Sequence, residues 1–185
     1  MAKVHLKPHT FLTPVPAVMV SCGTPHGKQN IITIAWAGTV CSDPPMLSIA
    51  VRPLRYSYSM IAETGEFVVN IPSSKLTKAL DYCGMVSGRT VDKFADCGLT
   101  AVTASKLQYA PLIAECPLNL ECKVEQELTL GSHALFLARI VAVQADEDVL
   151  DGEQRIDQQL ARPVAYAGGH YYELGTPLGR HGFSR

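Results

Sequence analysis

The sequence predicts a mainly β domain, an antiparallel barrel with a few helices at its rim. Three observations carry this. Short β-branched runs bounded by glycine and proline recur along the chain. Two long runs, Leu118 to Leu130 and His133 to Ala145, flank Gly131-Ser132, and Leu118, Leu120, Cys122 and Val124 alternate with polar partners, as a half-buried antiparallel hairpin should. Helical patterns are few and rarely alternate with strands, which disfavours a doubly wound parallel sheet.

Each element follows from local pattern. Pro14 to Cys22 (PVPAVMVSC) is apolar and β-branched and ends at a turn over Gly23 to Gly27. Asn30 to Trp36 sets Ile31, Thr33 and Ala35 on one face against Ile32, Ile34 and Trp36. Ala35, Ala37, Gly38 and Thr39 then surround the only tryptophan before a rigid Asp43-Pro44-Pro45 corner. Met46 to Arg52 and Glu66 to Ile71 are two further strands, and His170 to Leu174 a short last one. Ser57 to Glu63 reads as a helix ending at Gly65. Ser73 to Cys83 reads as a second, opened by a serine cap and stopped at Gly84. Asp92 to Ala95 is a turn of helix. Residues 1–185 read as a single domain with no repeat or linker. Gly168-Gly169 and the stretch from Gly175 to Gly182 mark a loose C-terminus.

Composition narrows the function classes. With 47% apolar and 18% charged residues over 185 positions, the chain is long enough and apolar enough to bury a continuous core. A formal net charge of -1 and no basic block argue against nucleic-acid or anionic-membrane partners. No apolar run reaches a membrane span, and MAKVHLKPHTF lacks a signal-peptide core, so a cytoplasmic location is expected. The six cysteines form no C-x-x-C pair and read as free thiols of a reducing compartment.

Two motifs mislead. GTPHGK at residues 23–28 is too short for a phosphate-binding loop, and Gln29 stands where a Ser or Thr is needed. His5 and His9 have metal-like spacing, but Pro8 prevents the helix that would align them, and no Cys/His cluster has zinc spacing. No protein-bound metal is expected. No G-x-G-x-x-G follows a strand, so a nicotinamide nucleotide would not sit in a Rossmann domain. Neither a nucleophile elbow nor a Cys–His pair supports covalent hydrolysis.

The small-residue stretch around Trp36 is the positive signal. Small side chains beside a large aromatic let a flat ligand approach main-chain N–H and C=O groups, and glycine tolerates the closest approach. A planar ring with a polar edge, such as a flavin, suits that surface. Taken alone, the polar candidates have ordinary readings too. Arg55 and Lys93 also read as solvated surface charges, Trp36 as core, and Asn30 and His133 as turn residues.

A set of pieces in order resolves the choice. They are Pro14-x-Pro16, Gly27-x-x-Asn30-x-x-Thr33-x-Ala35-Trp36, Asp43-Pro44-Pro45, RPLRYS at 52–57 and TGEFVVN at 64–70. Ser87-Gly88, Asp92-Lys93-Phe94, Ala110-Pro111, Glu115-Cys116-Pro117, Gly131-Ser132-His133 and Tyr171 to Gly175 complete the series. Across about residues 11–182 the chain resembles the flavin reductase-like, FMN-binding split-barrel family, and within it the flavoredoxin branch. The resemblance implies a six-stranded antiparallel Greek-key barrel, a homodimer, and one FMN per protomer near the dimer interface. Carried over by position, it assigns FMN contacts to Asn30, Trp36, Ser57, Lys93, His133 and Tyr166. Ser57 stands where the family often has Thr, which keeps the hydroxyl.

Charge and shape supply roles. Lys93 and Arg55 are the cations for the FMN phosphate, and Ser57 adds a hydroxyl and helix N-terminal amides. Main-chain groups of Thr33, Ala35, Trp36, Ala37, Gly38 and Thr39 are expected at the flavin's pyrimidine edge. The redox chemistry belongs to the cofactor, so no catalytic acid or base is assigned. The expected activity is an FMN-dependent oxidoreductase of flavoredoxin type, moving electrons from NAD(P)H or a reduced electron-transfer protein to an acceptor. A flavin reductase supplying free reduced flavin to a partner oxygenase is one alternative, and a non-enzymatic flavin-binding module another.

Overall fold

The computed structural model describes residues 1–185. Its frame is built by hairpins. β1 (Val15–Pro16) is separated by Ala17 from β2 (Val18–Gly23), and β2 turns into β3 (Gln29–Ile34). That turn is closed by Thr24 and Lys28 and uses Gly27 at φ +79°, a conformation that costs glycine little. All of β2 is buried because apolar layers cover both its faces.

The chain bends at Ala35-Trp36 and enters β4 (Ala37–Ser42), which turns at Asp43-Pro44 into β5 (Pro45–Val51). The expected strand from Asn30 to Trp36 therefore stops at Ile34, and the small-residue segment is a strand of its own. α1 (Tyr56–Thr64) ends at Gly65, whose left-handed backbone lets its N–H return to the Ile61 carbonyl. β6 (Glu66–Ile71) follows. Ser73 makes no capping bond through its side chain; a 3-10 turn, Ser74–Leu76, leads into α2 (Thr77–Met85), which runs through Gly84. α3 (Lys93–Cys97) is capped by Asp92, whose carboxylate accepts from the Phe94 and Ala95 amides at 3.0 and 3.2 Å.

β7 (Ala101–Val102) and β8 (Leu112–Ile113) make a small pair. The long hairpin is β9 (Leu118–Leu130) and β10 (His133–Ala145), with the expected bounds. α4 (Gln158–Ala161), β11 (Val164–Ala167) and β12 (His170–Glu173) complete the chain. The main sheet runs β3-β2-β6-β9-β10-β5-β4, and β1-β11-β12 form a three-stranded companion. The mainly β, antiparallel split-barrel class is as expected. The sheet holds seven strands rather than six, because β4 adds an edge, and its hydrogen-bonded ladder does not close.

Two apolar layers stabilise this frame. Val18, Val20, Ile49, Phe67 and Phe136 line one face of the sheet and pack on Met60 and Ile61 of α1. Met19, Ile31, Leu80, Cys83, Phe94 and Ile113 fill the space toward α2 and α3. Each large side chain so buried contributes roughly 1.5–3 kcal/mol. The six cysteines are unpaired, and Cys22, Cys83, Cys116 and Cys122 are buried. The fully buried Glu121 holds the loop before β8 by accepting from Ser105 N and Oγ, Lys106 N and Gln144 Nε2 at 2.7–2.9 Å. Burial alone would push this carboxyl up, but the donated bonds outweigh it and hold it below its usual range.

Candidate functional site

The packing of α1, α2 and α3 against β3 leaves a depression of about 330 Å³ at the N-terminus of α1. The first amides of a helix have no acceptor within it, so those of Tyr56 and Ser57 face an anion-friendly space. Arg52, Arg55, Arg89 and Lys93 line the same space, and no carboxylate does. Arg52 and Arg55 lie exposed on the turn that feeds α1. Arg89 is braced: Nη1 donates to the Leu54 carbonyl at 3.2 Å, and the guanidinium sits 5.3 Å from the Tyr56 ring centroid.

Lys93 is not a surface charge. It is 4% exposed, and its Nζ donates to the carbonyls of Ile31 and Cys83, both at 2.7 Å. An ammonium has three protons, so one remains for the cavity. Burial pulls its pKa down, Cys83 opposes that shift, and the Arg55 charge adds to it. An anion placed here would relieve both the burial and the repulsion. Asn30 and Ser57, 3% and 0% exposed, are joined by a 2.8 Å bond from Asn30 Nδ2 to Ser57 Oγ.

Ile32, Arg52 and Arg55 connect this pocket to a second cleft of about 420 Å³. Thr33, Ala35, Trp36, His133 and Tyr166 line it, as expected for the ring of a flat ligand. Trp36 is 46% exposed and so is not core; its ring lies 4.7 Å from that of His133, tilted by 39°. His133 Nδ1 and Ser132 Oγ share a hydrogen at 2.8 Å, and burial, then the Arg52 charge, hold the imidazole below its ordinary pKa. Thr33 donates its hydroxyl to the Leu80 carbonyl, which turns its side chain onto α2. On the far rim Tyr171 packs 5.5 Å from Tyr166 and donates to Asp81 Oδ1 at 3.0 Å. Burial and that carboxylate push the Tyr171 phenol up to about 12.

The structure thus brings nine of the expected residues to one continuous cleft: Asn30, Thr33, Ala35, Trp36, Arg55, Ser57, Lys93, His133 and Tyr166. It does not bring Ala37, Gly38 and Thr39 there. After Trp36 the chain leaves the cleft wall, and these three pair with Ile49, Ser48 and Leu47 on an edge strand. No protein atom lies within 4 Å of where a Gly38 Cβ would stand, so no close approach within the chain explains that glycine. Arg52, Arg89, Asp81 and Tyr171 line the cleft without having been singled out. Arg52 lies inside the RPLRYS run and Arg89 directly follows Ser87-Gly88, so position beside a motif was their available signal.

The donor set suits an anion at one end, and the half-exposed aromatic wall suits a flat ring at the other. A flavin reductase-like domain matches residues 10–175 of the chain. The structure superposes on flavoredoxin of Desulfovibrio vulgaris (Miyazaki F) with a TM-score of 0.92 and 34% identity, covering 99% of this chain and 98% of that one. Flavoredoxin from Methanosarcina acetivorans gives a TM-score of 0.92 and 33% identity over 100% of this chain and 97% of that one. The reductase component of a 4-nitrophenol 4-monooxygenase/4-nitrocatechol 2-monooxygenase from Rhodococcus opacus is 29% identical over 66% of this chain and 60% of its own length. A match over almost the whole sequence and a shared fold place the chain in the flavin reductase-like family.

Proposed function

We propose that this protein binds FMN and works as a flavoredoxin-like oxidoreductase, passing electrons from NAD(P)H or a reduced electron-transfer protein through the flavin to an acceptor. The observation that carries the reading is the continuity of the two cavities. A cationic pocket at a helix N-terminus opens through Ile32, Arg52 and Arg55 onto a wall of Trp36, His133 and Tyr166. A phosphate monoester tail joined to a planar ring has that polarity and that order. When bound, FMN supplies the capacity to accept a hydride and release electrons.

The chain's own residues bind and orient. Lys93, Arg52, Arg55 and Arg89 neutralise the tail, and Asn30 and Ser57 fix its direction. Trp36 and Tyr166 limit where the ring lies, and a neutral His133 offers a hydrogen bond without adding charge. We further propose a homodimer, supported by exposed Trp36 just before the edge strand β4 and exposed Val40 within it. No helix is long and apolar enough to cross a membrane. Four buried free thiols among six unpaired cysteines support a reducing compartment such as the cytoplasm.

A second reading, a reductase that releases reduced flavin to an oxygenase, is favoured by the likeness to the Rhodococcus opacus reductase component. One experiment separates them. The purified protein is expected to show a flavin absorbance band that survives gel filtration and bleaches when NADH or NADPH is added without oxygen. A band lost on gel filtration, with rapid reduction of added flavin, favours the second reading. A colourless protein that takes up no FMN on titration refutes both and leaves a non-enzymatic module.

A further inference from the structure

Asn30, Ser57 and Gly88 meet in the cationic pocket from three elements: β3, the first turn of α1, and the loop after α2. Asn30 Nδ2 donates to Ser57 Oγ at 2.8 Å, with both side chains buried. A hydroxyl that accepts along one lone pair sends its own proton in another direction. No carbonyl or carboxylate of the protein receives the Ser57 proton. Its other neighbour is the Cys22 thiol, which burial keeps protonated by pushing it up to about 12. A thiol sulfur is a weak acceptor. The pocket is the remaining direction.

Gly88 decides which way Asn30 faces. A Cβ at residue 88 would stand 2.0 Å from Asn30 Oδ1 and 2.6 Å from its Cγ, where no atom fits. Gly88 does not have a positive φ, so close approach rather than backbone conformation demands glycine here. To make room for such a Cβ the Asn30 side chain would have to swing into the cavity and give up its bond to Ser57.

We infer that Gly88 is a positioning residue for the phosphate end of the cleft. Lacking a side chain, it lets the Asn30 carboxamide lie against the loop and donate to Ser57, which turns the Ser57 hydroxyl outward to donate to a phosphate monoester oxygen. The inference rests on the FMN reading above. It makes residue 88 a determinant of the preference for FMN over riboflavin, the same ring without the phosphate.

Calorimetric titration of wild type and Gly88→Ala with FMN and with riboflavin tests it. Gly88→Ala is expected to weaken FMN binding by about tenfold or more, the effect of losing a hydrogen bond to a charged group, and to leave riboflavin binding unchanged. In a Ser57→Ala background the same change should cause no further loss. Ser57→Thr, which keeps the hydroxyl, should retain the FMN preference. Equal weakening of both ligands, unchanged FMN affinity, or a loss that persists without the Ser57 hydroxyl would overturn the proposal. If Gly88→Ala does not fold, Asn30→Leu keeps the size without the donor and carries the same expectations and the same refutations. Wild type that binds riboflavin as tightly as FMN refutes the phosphate reading itself, a result visible before any variant is made.

Discussion

At the tail end of the cleft Asn30, Ser57 and Lys93 are 3%, 0% and 4% exposed and are bonded to one another or to main chain. At the ring end Trp36 stands 46% exposed, and its ring packs on His133 while Tyr166 packs on Tyr171, contacts made mainly through ring faces and edges. The first arrangement is fixed before a ligand arrives, so little ordering entropy opposes binding. The second has few bonds to hold it and can adjust to a ring, a donor or an acceptor. Affinity therefore belongs to the tail end and reactivity to the ring end. Substitutions at the two ends should fail in different ways.

The largest effect is expected at Lys93. Lys93→Met leaves the Ile31 and Cys83 carbonyls buried without their charged donor, and each lost bond of this kind costs about 1.5–3 kcal/mol. Stability by urea denaturation should fall by roughly 3 kcal/mol, and FMN affinity by about a hundredfold. A variant with wild-type stability that lost only FMN binding would show that the tail end is assembled by the ligand rather than ahead of it.

Arg55 sharpens the same comparison. It lines the pocket but is exposed and has no ion-pair partner in the protein. Arg55→Ala should weaken FMN binding by roughly tenfold, flatten its salt dependence, and change stability by less than about 0.5 kcal/mol. A large stability loss would mean that Arg55 holds the turn before α1 instead of the ligand.

Trp36→Ala probes the other end. An exposed aromatic contact contributes only about 0.5–1.5 kcal/mol, so FMN affinity should change by less than about tenfold and the melting temperature little. The visible spectrum and midpoint potential of the bound flavin should shift instead. An unchanged spectrum and potential would remove Trp36 from the ring site.

The sequence revealed these ends unequally. β6, β9 and β10 have their expected bounds, because apolar, β-branched runs punctuated by Gly65 and Gly131 mark strands that are half or wholly buried. β4 carries no strand signal: AGTVCS sets small residues on an exposed edge, where no buried face imposes a period on the pattern. Ser73 looked like a helix cap, but an intervening 3-10 turn moves the start of α2 to Thr77. Lys93 was legible as a cation for the site, yet its anchors are carbonyls 62 and 10 residues away that no local pattern announces. Nor could spacing show that Gly88 faces Asn30, since the contact exists only once α2 has packed on β3.

His133 carries the smallest expected effect and separates the two ends by pH. Burial and the neighbouring Arg52 charge place its folded pKa below the ordinary 6.5, so it is neutral at pH 7. As pH falls through 6.5 the unfolded chain takes up this proton before the folded one does, so stability declines on the acid side. The loss is slight because the ring is only half-buried. An NMR titration should give a midpoint below 6.5 that moves upward in Arg52→Gln, where the repelling charge is gone. The Ser132 contact has two directions: a neutral ring that accepts at Nδ1 carries its proton on Nε2, one that donates there carries it on Nδ1, and nitrogen shifts distinguish the two tautomers. Bound flavin covers the ring further and should lower the midpoint again. A midpoint unmoved by both Arg52→Gln and FMN would place His133 outside the field of the cleft and leave the ring end to Trp36 and Tyr166.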